Sequence, residues 1–355
     1  MLPWSSREEL LSKVGRLSQV GGITPFLHAQ GKAKGTSTLR VRTTAGFEFW
    51  VVPDKGMDIY EASFQGRSLC WHSPTGMVHP AYYSNRGLEW LKGFTGGLLT
   101  TGGLETVGAP SQDDGQSLGL HGSISNTPAE HVNWSETWEG DDCILYVSGS
   151  VREVSVHGQN LVLNRTITTS LKSASLTIHD VVENQGVRTT PLMILYHFNF
   201  GFPLLTEKAT VYAPSVQVEP IDAWSAEIVD QWDRFDSPET GLQERVYFHR
   251  MKSDASNQVT VVLVNDGDDP GFGMALSYDA DTLPEFNQWK MTGANHFVLG
   301  LEPANCRTQG REAERKRGTL QFLAPGERRE FNLQIRVLED RQAIEAAIRD
   351  ATASL

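Results

Sequence analysis

The sequence predicts a mostly β fold, one large antiparallel β-sandwich with short helices at its N- and C-terminal ends. Three observations predict it. Turn-forming residues are dense, with 33 glycines and 16 prolines among 355 residues, as numerous short strands require. Short apolar runs alternate with turn signals along most of the chain. Within several of these runs, apolar and polar residues alternate at the period of a sheet with one buried face. No repeat of fixed period is visible, which disfavours a propeller, and no low-complexity linker divides the chain. A single domain over residues 1–355 is therefore expected, because large sandwiches run beyond the usual domain length. An apolar fraction of 39% with 9% aromatics supplies its core.

Residues 1–22 carry charges throughout and lack an apolar stretch, so they read as a short amphipathic helical lead-in and not a secretion signal. A cytoplasmic location is the expectation. Residues 37–56 form two strands around a turn at Thr44 to Gly46, and residues 61–71 supply a third pairing partner. Residues 143–154, 161–186, 258–266, 271–279, 296–303 and 318–338 continue the pattern. Leu176, Ile178 and Val181 against Thr177 and His179 illustrate its two-residue period. The most apolar run, residues 191–205, is shorter than the roughly 20 residues of a spanning helix and contains His197 and Asn199. Residues 340–355 close the chain with one helix, its apolar positions Ile344, Ala347, Ile348 and Ala351 at helical spacing.

Two segments break the strand rhythm, residues 85–130 and 218–249. The first is glycine-dense and far longer than a hairpin loop, which marks it as functional. The second mixes Trp224, Trp232 and Phe235 with acids, either as a platform for the apolar face of a sugar ring or as pins holding the loop to the sandwich.

A net charge of −12 argues against a nucleic-acid or anionic-membrane surface, which needs clustered cations. The basic stretch from Gly310 to Gly318 reads first as a solvated loop and second as an anion-binding edge. Cys70, Cys143 and Cys306 have no CxxC spacing and fit reduced thiols, not disulfides or a zinc site. His72 and His79 do not make a metal motif by their spacing, so no metal is expected. The sequence has no P-loop, no GxGxxG after a strand, no GxSxG elbow and no HExxH.

What remains is a set of His and Glu residues inside apolar strand-like contexts: His121 after Leu118 and Leu120, His197 in LMILYHFNFGFP, and Glu302 in HFVLGLEPAN. A carboxyl in such surroundings is desolvated, which raises its pKa toward the range of a general base. In order, LHGSIS, ILYHFNFGFP and VLGLEP resemble the three signature segments of the aldose 1-epimerase (galactose mutarotase-like) superfamily, in a divergent branch.

The resemblance implies a large β-supersandwich with an open sugar cleft, no cofactor, and anomer interconversion of a free sugar by acid–base ring opening. It implies Glu302 as the base at the anomeric hydroxyl, His197 as the acid at the ring oxygen, and His121 as a hydrogen-bonding partner. Glu244, with Asp233 in reserve, stands for a further sugar-binding carboxylate. Arg86 stands for an arginine near the sugar or for a structural ion pair. Asn199 and Ser123 depart from the family pattern where hydroxyls would be read. Lys55 and Asp58 read first as turn chemistry and second as sugar contacts. The sugar could be a hexose or pentose, deoxy or acidic, bound by a monomer or homodimer. The alternatives are a non-catalytic carbohydrate-binding protein, a glycoside hydrolase or lyase using Glu302 with Glu244 or Asp233, and a phosphosugar epimerase using Arg307, Arg311 and the run from Arg315 to Arg317.

Overall fold

The computed structural model describes residues 4–267, 271–353 and 355; residues 1–3 of the expected lead-in and 354 of the closing helix lie outside them. Among the described residues, twelve strands form one sheet and eight form another. The backbone of the large sheet runs, edge to edge, through the strands that begin at Gly22, Ser37, Phe47, Asp58, Leu99, Thr190, His296, Glu285, Arg245 and Ser215. The second sheet orders the strands that begin at Ala129, Asp142, Asn160, Ser175, Arg328, Phe272, Gln258 and Ala209. The register between neighbours is antiparallel, as in Leu39↔Val51 and Ile167↔Ile178.

The core lies between the two sheets. Val41, Phe49, Ile59, Tyr196 and Phe198 project from one and Leu145, Leu163, Ile178, Phe331 and Leu333 from the other, all in one buried cluster. The strand Thr190–Phe200 is buried on both faces, which explains why its sequence is almost continuously apolar. Leu192, Ile194, Tyr196 and Phe198 enter the main core, while Met193 and Leu195 join Val107, Ala304 and Cys306 in a second cluster. His197 shares the parity of Met193 and Leu195 and so faces away from the main core.

One sequence expectation fails in detail. In the strand Ser175–Asn184 the inward positions are Leu176, Ile178, Asp180 and Val182, and Val181 lies on the outward face. The buried Asp180 is held by Arg165, whose Nη2 approaches its Oδ2 at 2.7 Å, and by the Tyr196 hydroxyl at 2.8 Å. Arg165 also reaches Asp58 at 3.0 Å and the Thr101 hydroxyl at 3.0 Å. Arg165 and Asp180 belong to the second sheet, whereas Asp58, Thr101 and Tyr196 belong to the first, so this network joins the sheets through the core. Burial alone would lower the pKa of Arg165, but Asp180 and Asp58 more than offset it and raise it above its ordinary value. Burial pushes Asp58 up, and Arg165 and Thr101 partly oppose it.

Helices occur at both expected places. Arg7–Lys13 begins at Ser6, whose side chain accepts from the Glu9 N–H, and buries Leu10. Arg341–Thr352 begins at Asp340, which accepts from the Ala343 N–H. It sets Ile344, Ala347 and Ala351 on Val262, Val264 and Ala275, covering the outer face of the second sheet.

The segment 85–130 is more ordered than a functional loop was expected to be. It holds the strand Leu99–Leu104, buried throughout and paired with Thr190–Phe200 in the middle of the large sheet. LTTGGL carries no alternation because neither face meets water, and its small residues admit close neighbours: a Cβ on Gly102 would lie 3.3 Å from His121 Nδ1.

Candidate functional site

The outer face of the large sheet carries a cleft of about 350 Å³ whose lining includes His121, His197, Glu244 and Glu302. Two of these meet by strand register. Leu195 pairs with Ala304 and Phe198 with Leu301, which sets His197 opposite Glu302 on adjacent strands. His197 Nε2 lies 3.2 Å from Glu302 Oε1. The contact is not aligned as a hydrogen bond, and both Glu302 Oε1 and His197 Nδ1 are buried without a hydrogen-bond partner among the described residues. Such orphaned polar atoms are uncommon in protein interiors and point to a group that binds there.

Gly300 makes the space for this pair. It lies opposite Asn199 on one side and Trp289 on the other. A Cβ at this position would fall 2.4 Å from Glu302 Oε1, 2.9 Å from Trp289 Cβ and 3.2 Å from His197 Cε1. The absent side chain leaves a dimple in the sheet surface, walled by the Phe94 and Trp289 rings, whose centroids lie 5.4 and 5.5 Å from that of His197. The Trp289 indole N–H donates to Glu244 Oε2 at 2.7 Å, fixing that carboxylate at the rim.

His121 comes from the long glycine-rich segment, not from a strand. Its φ of 55° and that of Gly122, 72°, lie in the left-handed region, and a Cβ on Gly122 would press to 2.4 Å of Gly103 O. This Leu-His-Gly turn is moored to the sheet by Gly103 N–H donating to His121 O and by His121 N–H donating to Gly108 O. His121 Nδ1 accepts from the Gly108 N–H at 3.4 Å, which leaves Nε2 as the protonated nitrogen of the neutral ring. Its ring packs on Trp90 and stands edge to face with His197 at 5.7 Å.

The apolar walls set the electrostatics. Burial, reinforced by the charge of Glu244, pushes the Glu302 carboxyl well above the usual carboxylate range. Burial, with His121 adding to it, drives His197 well below the usual imidazole range, and burial lowers His121 to about 4. Burial thus favours the neutral carboxylic acid of Glu302 and the neutral imidazole of His197, two groups in contact.

Residues 33–337 match a domain of unknown function, DUF4432. The chain belongs to this family. No curated protein gives a significant match. Among solved structures, this DUF4432 chain is similar to a Klebsiella pneumoniae protein provisionally named an aldose 1-epimerase, with 27% identity, a TM-score of 0.89, and 94% of this chain and 87% of the other covered. It also resembles a galactose mutarotase-like protein from Clostridium acetobutylicum (12% identity, TM-score 0.62, 91% and 99% covered). A galactose 1-epimerase from Lactobacillus acidophilus is similar at 11% identity and TM-score 0.57, with 90% and 99% covered. The last two likenesses are of fold alone. The DUF4432 chain is thus a divergent member of the galactose mutarotase-like superfamily, with its mostly β fold.

The cleft does not gather every residue singled out in the sequence. Asn199 is buried beside it, its amide donating to Gly97 O and His197 O. Arg86 points into solvent with its side chain 84% exposed, 3.7 Å from Glu89. Asp233 lies outside the cleft lining, its carbonyl accepting from the Val211 N–H on an edge strand of the second sheet. Trp232 packs edge-on to His249 and Trp224 lies under the Arg245 guanidinium, so these aromatics pin their loop to the sandwich. Lys55 and Asp58 border a separate cavity of about 10 Å³, which has room for no more than a water. Lys55 donates to Asn126 Oδ1 at 2.6 Å, and Asp58 belongs to the Arg165 network. The Ser123 hydroxyl donates to the buried Glu153, outside the cleft.

The basic stretch Gly310 to Gly318 is not a loop, although Arg315, Lys316, Arg317 and Gly318 are exposed. It forms the helix Arg311–Arg317, in which Arg311 and Arg315 clasp Asp113 at 2.7 and 2.6 Å and Arg317 pairs with Glu314 and Glu285. Sequence reasoning missed Trp289, which no motif flags, and Thr308, whose hydroxyl is buried at the cleft without a partner among the described residues. It also assigned no chemistry to Cys70. Among the described residues, Glu61, Cys70 and His72 bring potential metal-ligating atoms within 4.8 Å of one another. This group lies outside the cleft lining, although the intervening Trp71 packs on Phe94 and Trp289.

Proposed function

We propose that this protein is an enzyme of the aldose 1-epimerase type that interconverts the anomers of a free sugar. The observation that carries the reading is the buried cross-strand pair of His197 and Glu302, 3.2 Å apart in an apolar cleft. The two oxygens of a hemiacetal hang from one carbon, so a base for one and an acid for the other must stand side by side.

The resting pair holds its proton on Glu302. A sugar whose hydroxyls donate to that carboxyl favours its ionised form, and once the carboxyl turns into line with His197 Nε2 the proton passes to His197. Glu302 then takes the proton of the anomeric hydroxyl as the C1–O5 bond breaks, and the His197 imidazolium gives its proton to O5. Rotation about C1–C2 and reclosure with the roles reversed yield the other anomer. His121, neutral near pH 7, donates from Nε2 to a sugar oxygen. The proton transfers need one proton on the pair, so activity falls at low pH when His197 and Glu302 are both protonated, and at high pH when neither is.

Exchange NMR on a panel of free aldoses tests the reading: the protein should accelerate anomer exchange above the solvent rate for at least one sugar, and no acceleration for any would overturn it. Gly300→Ala should keep the fold yet lower that rate about a hundredfold, the scale of a misplacement near 1 Å, because its methyl displaces the Glu302 carboxyl. Unchanged exchange in the variant would show that the dimple is not the reaction site.

A further inference from the structure

The polar inventory of the cleft matches a smaller sugar than a full hexose. We infer that the site takes an uncharged aldose without the exocyclic hydroxyl, that is, a 6-deoxyhexose or an aldopentose. The inference rests on the mutarotase reading only in assigning the anomeric and ring oxygens to Glu302 and His197. Among the described residues, three other side chains of the lining have a polar atom without a hydrogen-bond partner: His121 with its Nε2–H, Thr308 with its hydroxyl, and Glu244 with the oxygen that Trp289 leaves free, whereas the Trp90 and Trp289 N–H groups are engaged. Those three match the hydroxyls at C2, C3 and C4 of a pyranose.

A hydroxyl at C6 would be a fourth, and it has no side-chain partner left. Nearby backbone groups are engaged as well, since Gly108 N–H donates to His121 Nδ1, Gly108 O accepts from His121 N–H, and Ala109 N–H donates to Thr308 O. The remaining side chains of the wall are apolar, among them Leu88, Leu91, Phe94, Pro110, Ile221 and Val246. They suit a methyl group or a bare ring carbon, whereas a buried hydroxyl there loses its water without replacement.

Charge narrows the class further. Among the described residues no Lys or Arg lines the cleft, while two carboxyl groups do. A uronic acid or a sugar phosphate would bring an anion beside the carboxyl groups of Glu244 and Glu302, in an apolar site with no Lys or Arg to meet it. Of the arginines next in sequence to lining residues, Arg245 stacks on Trp224 and lies 3.5 Å from Glu227, and Arg307 is held by Glu219 and Glu285; Arg311, Arg315 and Arg317 are held by Asp113, Glu285 and Glu314.

Matched sugars test this directly. Binding by calorimetry and anomer exchange by NMR are measured on the wild-type protein with L-fucose against L-galactose, L-rhamnose against L-mannose, D-xylose and 6-deoxy-D-glucose against D-glucose, and with D-glucuronate. The expected result is that the preferred sugar lacks the exocyclic hydroxyl, is favoured about 10–100-fold over its hydroxylated parent, and that D-glucuronate does not bind. Equal or tighter binding of the parent hexose, binding of D-glucuronate, or no binding of any sugar would overturn the inference. The expected binding order without any anomer exchange would instead uphold it and overturn the catalytic reading.

Discussion

Glu302→Gln should lose anomer exchange by about 10²–10⁴-fold, the usual contribution of a positioned acid–base group, while leaving the protein folded and, at alkaline pH, more stable than the wild type. The two effects have one cause. Gln fills the same space beside His197 but neither takes nor gives the proton. The folded state holds the Glu302 proton more tightly than the unfolded chain does, because burial raises this carboxyl. The resulting stability is present in full below the unfolded pKa and is lost as pH rises through the folded one. Gln is neutral at every pH and escapes that loss, so the gap between variant and wild type should widen from acid to alkaline solution. Denaturation midpoints across the pH range, beside exchange NMR, check both halves. A variant retaining wild-type exchange would remove Glu302 from the mechanism. A variant less stable at high pH would mean that the carboxyl holds the fold together.

Arg165→Met should cost about 3–5 kcal/mol of stability, the scale on which removing one partner of a buried ion pair leaves an uncompensated charge. Asp180 and Asp58 would both lose the guanidinium between them, in a core where the Arg165 and Asp180 side chains are fully buried. The network also underlies the site. Tyr196, which donates to Asp180, precedes His197, and Thr101 and Thr100 pair with Tyr196 and His197. Urea denaturation measures the loss. Replacing Arg165, Asp180 and Asp58 together by Met, Asn and Asn should recover part of it, because no charge is then stranded. A loss within about 0.5 kcal/mol, ordinary for a surface substitution, would show that water or rearrangement compensates the two carboxylates.

The β-sandwich was legible because burial of one face imposes a two-residue period, and the closing helix because its apolar residues recur at helical spacing. Legibility failed where a strand is buried on both faces. LTTGGL carries no alternation, so the strand Leu99–Leu104 at the centre of the large sheet read as loop. It failed at Asp180 for the opposite reason, since a polar residue at an inward position makes sense only once Arg165 is seen beside it.

The same division holds at the cleft. His121, His197, Glu302 and Glu244 stand out in sequence because a titratable group in an apolar context, or matched to a motif, is a local feature. Arg86, Asp233, Trp232, Lys55 and Asp58 are equally conspicuous locally, yet lie away from the cleft, because a side chain's partners are set by strands distant in the chain.

By itself the sequence determined the kind of fold and the titratable residues able to do chemistry, since both follow from short-range patterning of apolar and polar groups. Only the tertiary structure decided which of those residues meet. Strand register sets His197 against Glu302, the missing side chain of Gly300 opens the space beside them, and Trp289 and Thr308 complete a cleft that no Lys or Arg lines among the described residues. Register and close packing are relations between segments about a hundred residues apart, and no local pattern encodes them.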